Sequence, residues 1–587
     1  MWNKRIFAAF IALGLVAAAC SSTGTSPSPS ASGAASQPPA STGPSLAADQ
    51  VFRVGATEPP SLDPQKATDS ASILVLHQIV RPLLWFDKDL NLTTDGGLAA
   101  SYALSNGGKT LTFTLKDNLK YSNGDPIKAS DFVYAIQRLA DPRTAAGYSY
   151  LLGSGLMNLV GADAVLGLDP EKLPSDSELQ TMLDAIGVSA PDDKTVVFQM
   201  TEATSYAPFI ATYWTFAPTE KSWITSANAT EAANYVSSGP FMLSEWDHNA
   251  KIVLKPNPNW VGTPPKLSEV DMTLYSDINL TYDAYRNDEL DISTVPSANR
   301  AEVKADPTLS KQVVQGNVLA TYYIGFDMRG AVDTPQATSI VGKSKALRHA
   351  LTEAVDKQAL VDTVNQGVGT PAGSMVPKGM FGYQPDIGLK YDVTQAKADL
   401  ATALSDLGVT AADLSDGGKD ALELGYNSGS GHEPIMEFLQ AQWQQNLGIK
   451  VKLTGLEWKT YLARLDEQPF TMFRLGWSQD YPHPNNFLND VFGCSADGKP
   501  GGNNETRWCN TQYNDLLRQA AGTLDTSAQL PLYNQAQEIL VDEAPAIFLY
   551  WYGRFTLVKP WVLDLIPTAG DSNTGEYFYD QIQIAAH

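Results

Sequence analysis

The stretch Glu457–Leu488, EWKTYLARLDEQPFTMFRLGWSQDYPHPNNFL, decides how the chain is read. Phe470–Leu475 has the apolar run of a buried strand, which ends in Gly476-Trp477. Ser478-Gln479-Asp480-Tyr481-Pro482 must then be loop, because proline stops both helix and ladder. A lone carboxylate at a strand end, beside Trp477 and Tyr481, suits capture of a cation in a half-dry pocket. The same residues also read as an ordinary turn aspartate beside core aromatics.

Upstream, Leu422–Tyr426 reads as a strand and Asn427–His432 as a Gly/Ser loop. Pro434 opens a helix with Ile435, Phe438, Leu439, Trp443 and Leu447 on one face. Gly448 stops it, and Ile449–Leu453 is the next strand. A strand–helix–strand unit predicts two parallel strands with a right-handed crossover, and ligands gather where such strands end. Asn427 and His432 sit in that end loop.

At 587 residues the chain exceeds what one core serves, so two or more domains are expected. Apolar content of 43% and charged content of 18% are globular values. A net charge of −23 argues against nucleic acid as a partner, and against docking of the body on anionic lipid. No GxSxG elbow, HExxH, P-loop or GxGxxG is present, so nothing in the sequence supports an enzyme. No cofactor or metal is expected. His349 lies off the apolar stripe of a helix over Lys345–Val355 and reads as a surface or packing histidine. Cys494 and Cys509 bracket a Gly/Asn-rich loop; they read as a structural bridge or as two free thiols, with no CxxC or HxxxH partner for zinc.

Met1–Ala19 carries Lys4 and Arg5 before an uncharged apolar run and reads as a secretory signal. Ser21–Ala48 is rich in Ser, Thr, Pro, Gly and Ala, carries no charge, and reads as a flexible tether. Globular sequence begins near Asp49. Val51–Ala56 is a short strand, and three prolines within Pro59–Pro64 force an extended path after Glu58. Thr110–Leu115 alternates as a half-buried strand, and a helix capped by Ser130 or Asp131 follows. Thr321–Met328 and Ala546–Tyr552 read as further strands. Tyr550 and Tyr552 either face a cleft or pack in the core.

Several of these segments resemble one family. EWKTYL, a strand, and GWSQDY follow one another at the spacing found in the oligopeptide-binding proteins of ABC importers, the peptide/nickel-type solute-binding family. LTFTLKDNLKYSNGDPIKASDFVYAIQRLADP resembles that family's signature, with Tyr121 for the usual Trp and Asn123 for the usual Asp. SGPFMLSEWDHNAKIVLKPNPNW, AYRNDELDI and FTLVKPWV resemble its hairpin, turn and closing segments. Ala17-Ala18-Ala19-Cys20 resembles a lipobox, with Ala17 where Leu is usual.

The resemblance implies an α/β, bilobal periplasmic-binding fold of class II, with mixed sheets in two lobes joined by a hinge and an extra small α/β domain. The implied layout is a signal peptide (1–19) and a lipidated Cys20 with a disordered tether (20–49). Lobe I would comprise 50–71, 203–319 and 553–587, with 72–202 as its accessory domain and 320–552 as lobe II. Asp480 stands where the family holds the peptide α-ammonium, with Trp458 and Trp477 as pocket walls. Arg474 stands where some relatives hold the carboxylate; His432 and Asn427 would lie near that end, Glu58 along the ligand and Tyr552 toward the cleft. Leu465, with Arg464 adjacent, stands where another relative has a cation, which leaves the peptide length open. The implied partners are a short peptide, an ABC permease and ATPase complex, and the membrane through the Cys20 lipid; the implied state is an extracytoplasmic monomer. A same-fold receptor for a non-peptide solute, a sensor with no transport partner, and a secreted cleft enzyme are the alternatives.

Overall fold

Val313–Phe326 and Ala546–Val558 are the longest strands, and they pair antiparallel from Val313↔Leu557 to Gly325↔Ala546. In the computed structural model, which describes residues 44–587 apart from 278, 330–338, 468–469, 495–497, 502 and the side chains of 466 and 467, they form the middle of one continuous sheet. From one edge the order is Lys452–Leu456, Glu423–Asn427, Met472–Ser478, Val313–Phe326, Ala546–Val558, Ile292–Thr294, Val51–Ala56, Glu269–Leu274, Lys251–Pro256 and Phe241–Asp247. The two long strands begin in one hydrophobic core and end in another. Val558 packs with Phe52, Val270 and Ile292, whereas Tyr322, Phe326, Phe548 and Tyr550 pack with Leu351, Trp443 and Phe473. Between the cores the ladder slips from Asn317 to Thr321, next to Gly553. Two cores joined by two strands make the molecule two-lobed.

Each lobe follows from its sequence pattern. Glu423–Asn427 and Lys452–Leu456 are parallel and flank the helix Glu433–Leu447, as the strand–helix–strand pattern requires. Gly448 ends that helix at φ 73, a left-handed conformation that glycine adopts without Cβ strain. In the first lobe, Ala99–Ser105, Thr110–Leu115, Thr195–Gln199 and Val188–Asp192 form a separate antiparallel sheet. Leu111, Phe113 and Leu115 point inward as alternation predicts, and Phe132, Ile136 and Leu139 of the helix Ala129–Ala140 are buried beside them. That helix is capped at Lys128, two or three residues earlier than the sequence indicates. Asp131 therefore sits inside its first turn and accepts the Lys128 N–H from there, at 3.0 Å.

The strand around Arg474 runs on to Ser478 rather than ending at Gly476-Trp477, because Ala320 pairs with Ser478. Folded structure also begins before Asp49: Leu46 bridges Ala585, and the Ala47 N–H donates to Ile584 O at 2.8 Å. Leu46–His587 is one compact unit; Met1–Ser45 is a second, of which residues 44 and 45 alone are described. Cys20 and the signal segment lie outside the described residues. Cys494 and Cys509 form a disulfide, with Cα atoms 5.8 Å apart.

Candidate functional site: an acid end and a cation end on one strand

Asp480 lines a cavity of about 250 Å³ together with Tyr148, Tyr213, Trp214, Ser478, Gln479 and Tyr577. It leaves the Met472–Ser478 strand two residues past its end, and the following helix, Pro484–Phe492, holds it there. Asn486, fully buried on that helix, accepts the Asp480 N–H at 2.7 Å and donates to its Oδ2 at 3.0 Å. Burial pushes the Asp480 carboxyl up to about 6, against the Asn486 amide and the Tyr213 hydroxyl. Asp490 accepts from the same amide at 2.9 Å; burial, with the Asp480 charge adding, pushes it up to about 7.

Two side chains in this cavity keep spare acceptor capacity. Asp480 makes no ion pair with any described residue. Gln479 gives its Nε2 to Gly570 O at 3.0 Å, and its buried Oε1 has no partner among the described residues. The buried Tyr213 hydroxyl faces the Asp480 carboxyl and favours its charged form. A second acid in the wall, Glu576, is different. Burial alone would raise it, but His77 and the N–H donors of Ser572 and Asn573 outweigh that and hold it below its usual range. Spare acceptor capacity therefore sits at Asp480 and Gln479, the arrangement an ammonium with three donors would satisfy.

Gly570 is fixed from the Ala546–Val558 strand. Arg554 pairs with Asp571 at 3.0 Å and donates to Thr568 O, and the Asp571 carboxylate collects the Thr568 and Gly575 N–H groups. The loop that orients Gln479 is thus tied to a strand crossing between the lobes.

Arg474 lies on the same strand. By the two-residue period, Arg474, Gly476 and Ser478 share a face. A Cβ at Gly476 would stand 3.0 Å from the Tyr552 hydroxyl and 3.5 Å from Arg474 Nη2, so glycine keeps that face open. The guanidinium donates to Asn427 Oδ1 at 3.1 Å and to the Tyr552 hydroxyl at 3.2 Å, and lies 4.5 Å over the Tyr322 ring. All of these partners are neutral. No carboxylate of the described residues pairs with it, and its Nε is buried and unpartnered. His432 joins through Tyr322, with Oη and Nδ1 3.1 Å apart. Burial, with the Arg474 charge adding, pushes His432 down to about 4. The imidazole is neutral at pH 7, so it brings no charge for an anion, and Arg474 is the cation here.

Of the residues named from sequence, Arg474, Asn427, His432 and Tyr552 come together, and Asp480 stands at the far end of their strand face. Three line neither end. Trp458 is 46% exposed and stacks on Tyr461 at a helix start. Trp477 points to the strand's other side, where its indole N–H donates to Asn486 Oδ1 at 3.1 Å, so it braces Asp480 from behind instead of walling the cavity. Glu58 is taken by the Phe241–Asp247/Lys251–Pro256 hairpin: His248 Nδ1 at 2.6 Å, Trp246 Nε1 at 3.2 Å and the Asn249 N–H at 2.9 Å. Leu465 is buried, and Arg464 pairs with Glu423 at 2.9 Å. The cavity walls Tyr148, Tyr213, Trp214 and Tyr577 come from segments with no local signal. Gln479, beside Asp480, could have been named from its position alone.

A two-lobed α/β molecule with a charged strand face running into a cavity between aromatic walls is a solute-binding protein of the class II periplasmic type. The family model for bacterial extracellular solute-binding proteins, family 5 (middle), matches residues 93–499. The oligopeptide-binding protein OppA of Bacillus subtilis is 31% identical over 86% of this chain and 87% of its own length. Two solved MppA structures are each 26% identical. The unliganded open form has a TM-score of 0.75 over 93% of this chain and 99% of that one. The Escherichia coli murein tripeptide binding protein has a TM-score of 0.70 over 92% and 100%. The chain belongs to the family 5 solute-binding proteins, of the oligopeptide/dipeptide type, a family of binding proteins and not of enzymes. Among the described residues, no helix is long and apolar enough to cross a membrane.

Proposed function

We propose that the protein captures short peptides between its lobes and hands them to an ABC permease. The observation that carries this reading is a pair of unpaired opposite charges at the two ends of one strand face. Asp480, with Gln479 Oε1 and the Tyr213 hydroxyl, receives the peptide's α-ammonium. Arg474, aligned by Asn427 and Tyr552, receives its carboxylate. Ser478 stands four strand steps from Arg474, roughly 13 Å, and Asp480 lies two residues beyond. With side-chain reach, an extended peptide of about three to five residues fits that span. Main-chain pairing to a strand edge would make capture tolerant of side-chain identity.

Closure follows from the same placement. A ligand touching both lobes has differential affinity for the closed form and shifts the population toward it. The lobe borders are read as in the sequence, with lobe II over 320–552; the register slip from Asn317 to Thr321 beside Gly553 supports them. Cys20 is read as the lipid anchor of an extracytoplasmic, monomeric receptor. Membrane fractionation of Cys20→Ala should move the protein to the soluble fraction.

The deciding experiment is calorimetry with one tetrapeptide in three forms: free, N-acetylated and C-amidated. Blocking either end should weaken binding at least tenfold, and mass spectrometry should recover the free peptide intact. Equal affinity for all three forms would remove the peptide assignment, and turnover would point to an enzyme.

A further inference from the structure

The second lobe holds a cluster unconnected with peptide capture. The helices Lys345–Glu353 and Val393–Leu407 pack side by side. His349 and Glu353 stand four residues apart on the first, hence on one face. Asp399 stands on the second. One ring nitrogen of His349 and one carboxylate oxygen each of Glu353 and Asp399 lie within 4.8 Å of one another.

Two details separate this cluster from an ordinary acidic patch. Glu353 is only 8% exposed, and its buried Oε2 has no hydrogen-bond partner among the described residues. The Asp399 carboxyl beside it is another acceptor, so the two crowd each other unless a proton or a cation lies between them. The second detail is the imidazole. His349 Nε2 lies 2.7 Å from Asp542 O, at the end of the helix Thr526–Glu543. A carbonyl only accepts, so Nε2 carries a proton, and in the neutral ring Nδ1 keeps the lone pair. A backbone carbonyl that fixes the tautomer in this way is the usual support of a metal-ligating histidine.

We propose that His349, Glu353 and Asp399 form a site for a divalent transition-metal ion of the zinc class. One imidazole and two carboxylates are the donor set of a borderline cation; calcium would demand six or more oxygens. His349 and Asp399 are half-buried, which leaves a route for the ion and room for water as a fourth ligand. The ion would neutralise two crowded acids and pin two helices of the lobe together.

The test is a zinc titration by calorimetry of the full chain carrying Cys20→Ser, so that this thiol does not compete. One tight site per chain is expected. His349→Ala and Asp399→Asn, both at partly exposed positions, should each weaken it at least about tenfold. Zinc should raise the melting temperature of the unsubstituted site and lose that effect in both variants and in the isosteric Glu353→Gln. Calcium at the same concentration should produce neither signal, and peptide affinity should not change in the variants. No tight site, or an affinity unchanged in both variants, would overturn the proposal.

Discussion

The two ends of the strand face solve opposite problems. At the acid end, the residues that brace Asp480 from behind are close in sequence: Trp477, Asn486 and Asp490 lie within ten residues of it. At the cation end, Arg474 is held by Asn427, Tyr322 and Tyr552, brought from three other strands. Burial pushes Asp480 into the range where it titrates near pH 6, whereas the histidine beside Arg474 titrates near 4. One end is thus a locally built, pH-sensitive acceptor, and the other a tertiary, pH-insensitive donor. A buried charge left without a counter-charge is costly, so each end is prepared for a ligand at some expense to the empty fold.

The sharpest way to break this contrast is Asp480→Ala. It should weaken binding of a free peptide by at least about 2 kcal/mol and have little effect on an N-acetylated one, as calorimetry would show. Asp480→Asn should bind as poorly, yet leave the ligand-free melting temperature unchanged or higher at pH 7. The sign follows from linkage. A carboxyl raised above its ordinary value contributes stability at low pH and loses it as pH rises through about 6, so at pH 7 the charge is a burden. A clear drop in melting temperature for Asp480→Asn would show the acid to be structural.

Next in size is Arg474→Met, which should cost about 1.5–3 kcal/mol toward peptides with a free carboxylate. C-amidated peptides should bind both forms equally. A smaller effect is set by acidity. Between pH 7 and pH 5 the affinity should fall roughly tenfold, because Asp480 must lose a proton before it can hold the ammonium. That dependence should vanish in Asp480→Asn and persist in His432→Gln, since His432 is already neutral across this range. The smallest effect is expected for Tyr552→Phe. Removing one neutral contact to Arg474 should cost about 0.5–1.5 kcal/mol, and a larger loss would give Tyr552 a direct role toward ligand.

Much of this molecule was legible in the chain because the signals were local. Period-two alternation in Thr110–Leu115 gave a strand with the correct face inward. Pro434 and Gly448 bounded a helix between two parallel strands. Asp480 stood out as a lone acid after a strand. Other named residues have surroundings that the chain does not show. Trp458 and Glu58 had plausible neighbours in sequence, but a helix start exposes the first, and a hairpin with its own three donors takes the second. Trp477 faced the other way because the strand continues to Ser478 and alternation fixes its side.

Hydrophobic period, turn chemistry and chain length act over a few residues at a time, so the sequence by itself determined the elements, their order, and the acid at the strand end. Which charges remain unpaired, that His432 is neutral, and that Tyr148, Tyr213 and Tyr577 surround Asp480 were decided by the tertiary structure alone. Burial and the choice of partner depend on segments hundreds of residues apart, and desolvation has no magnitude until those segments have closed around the group.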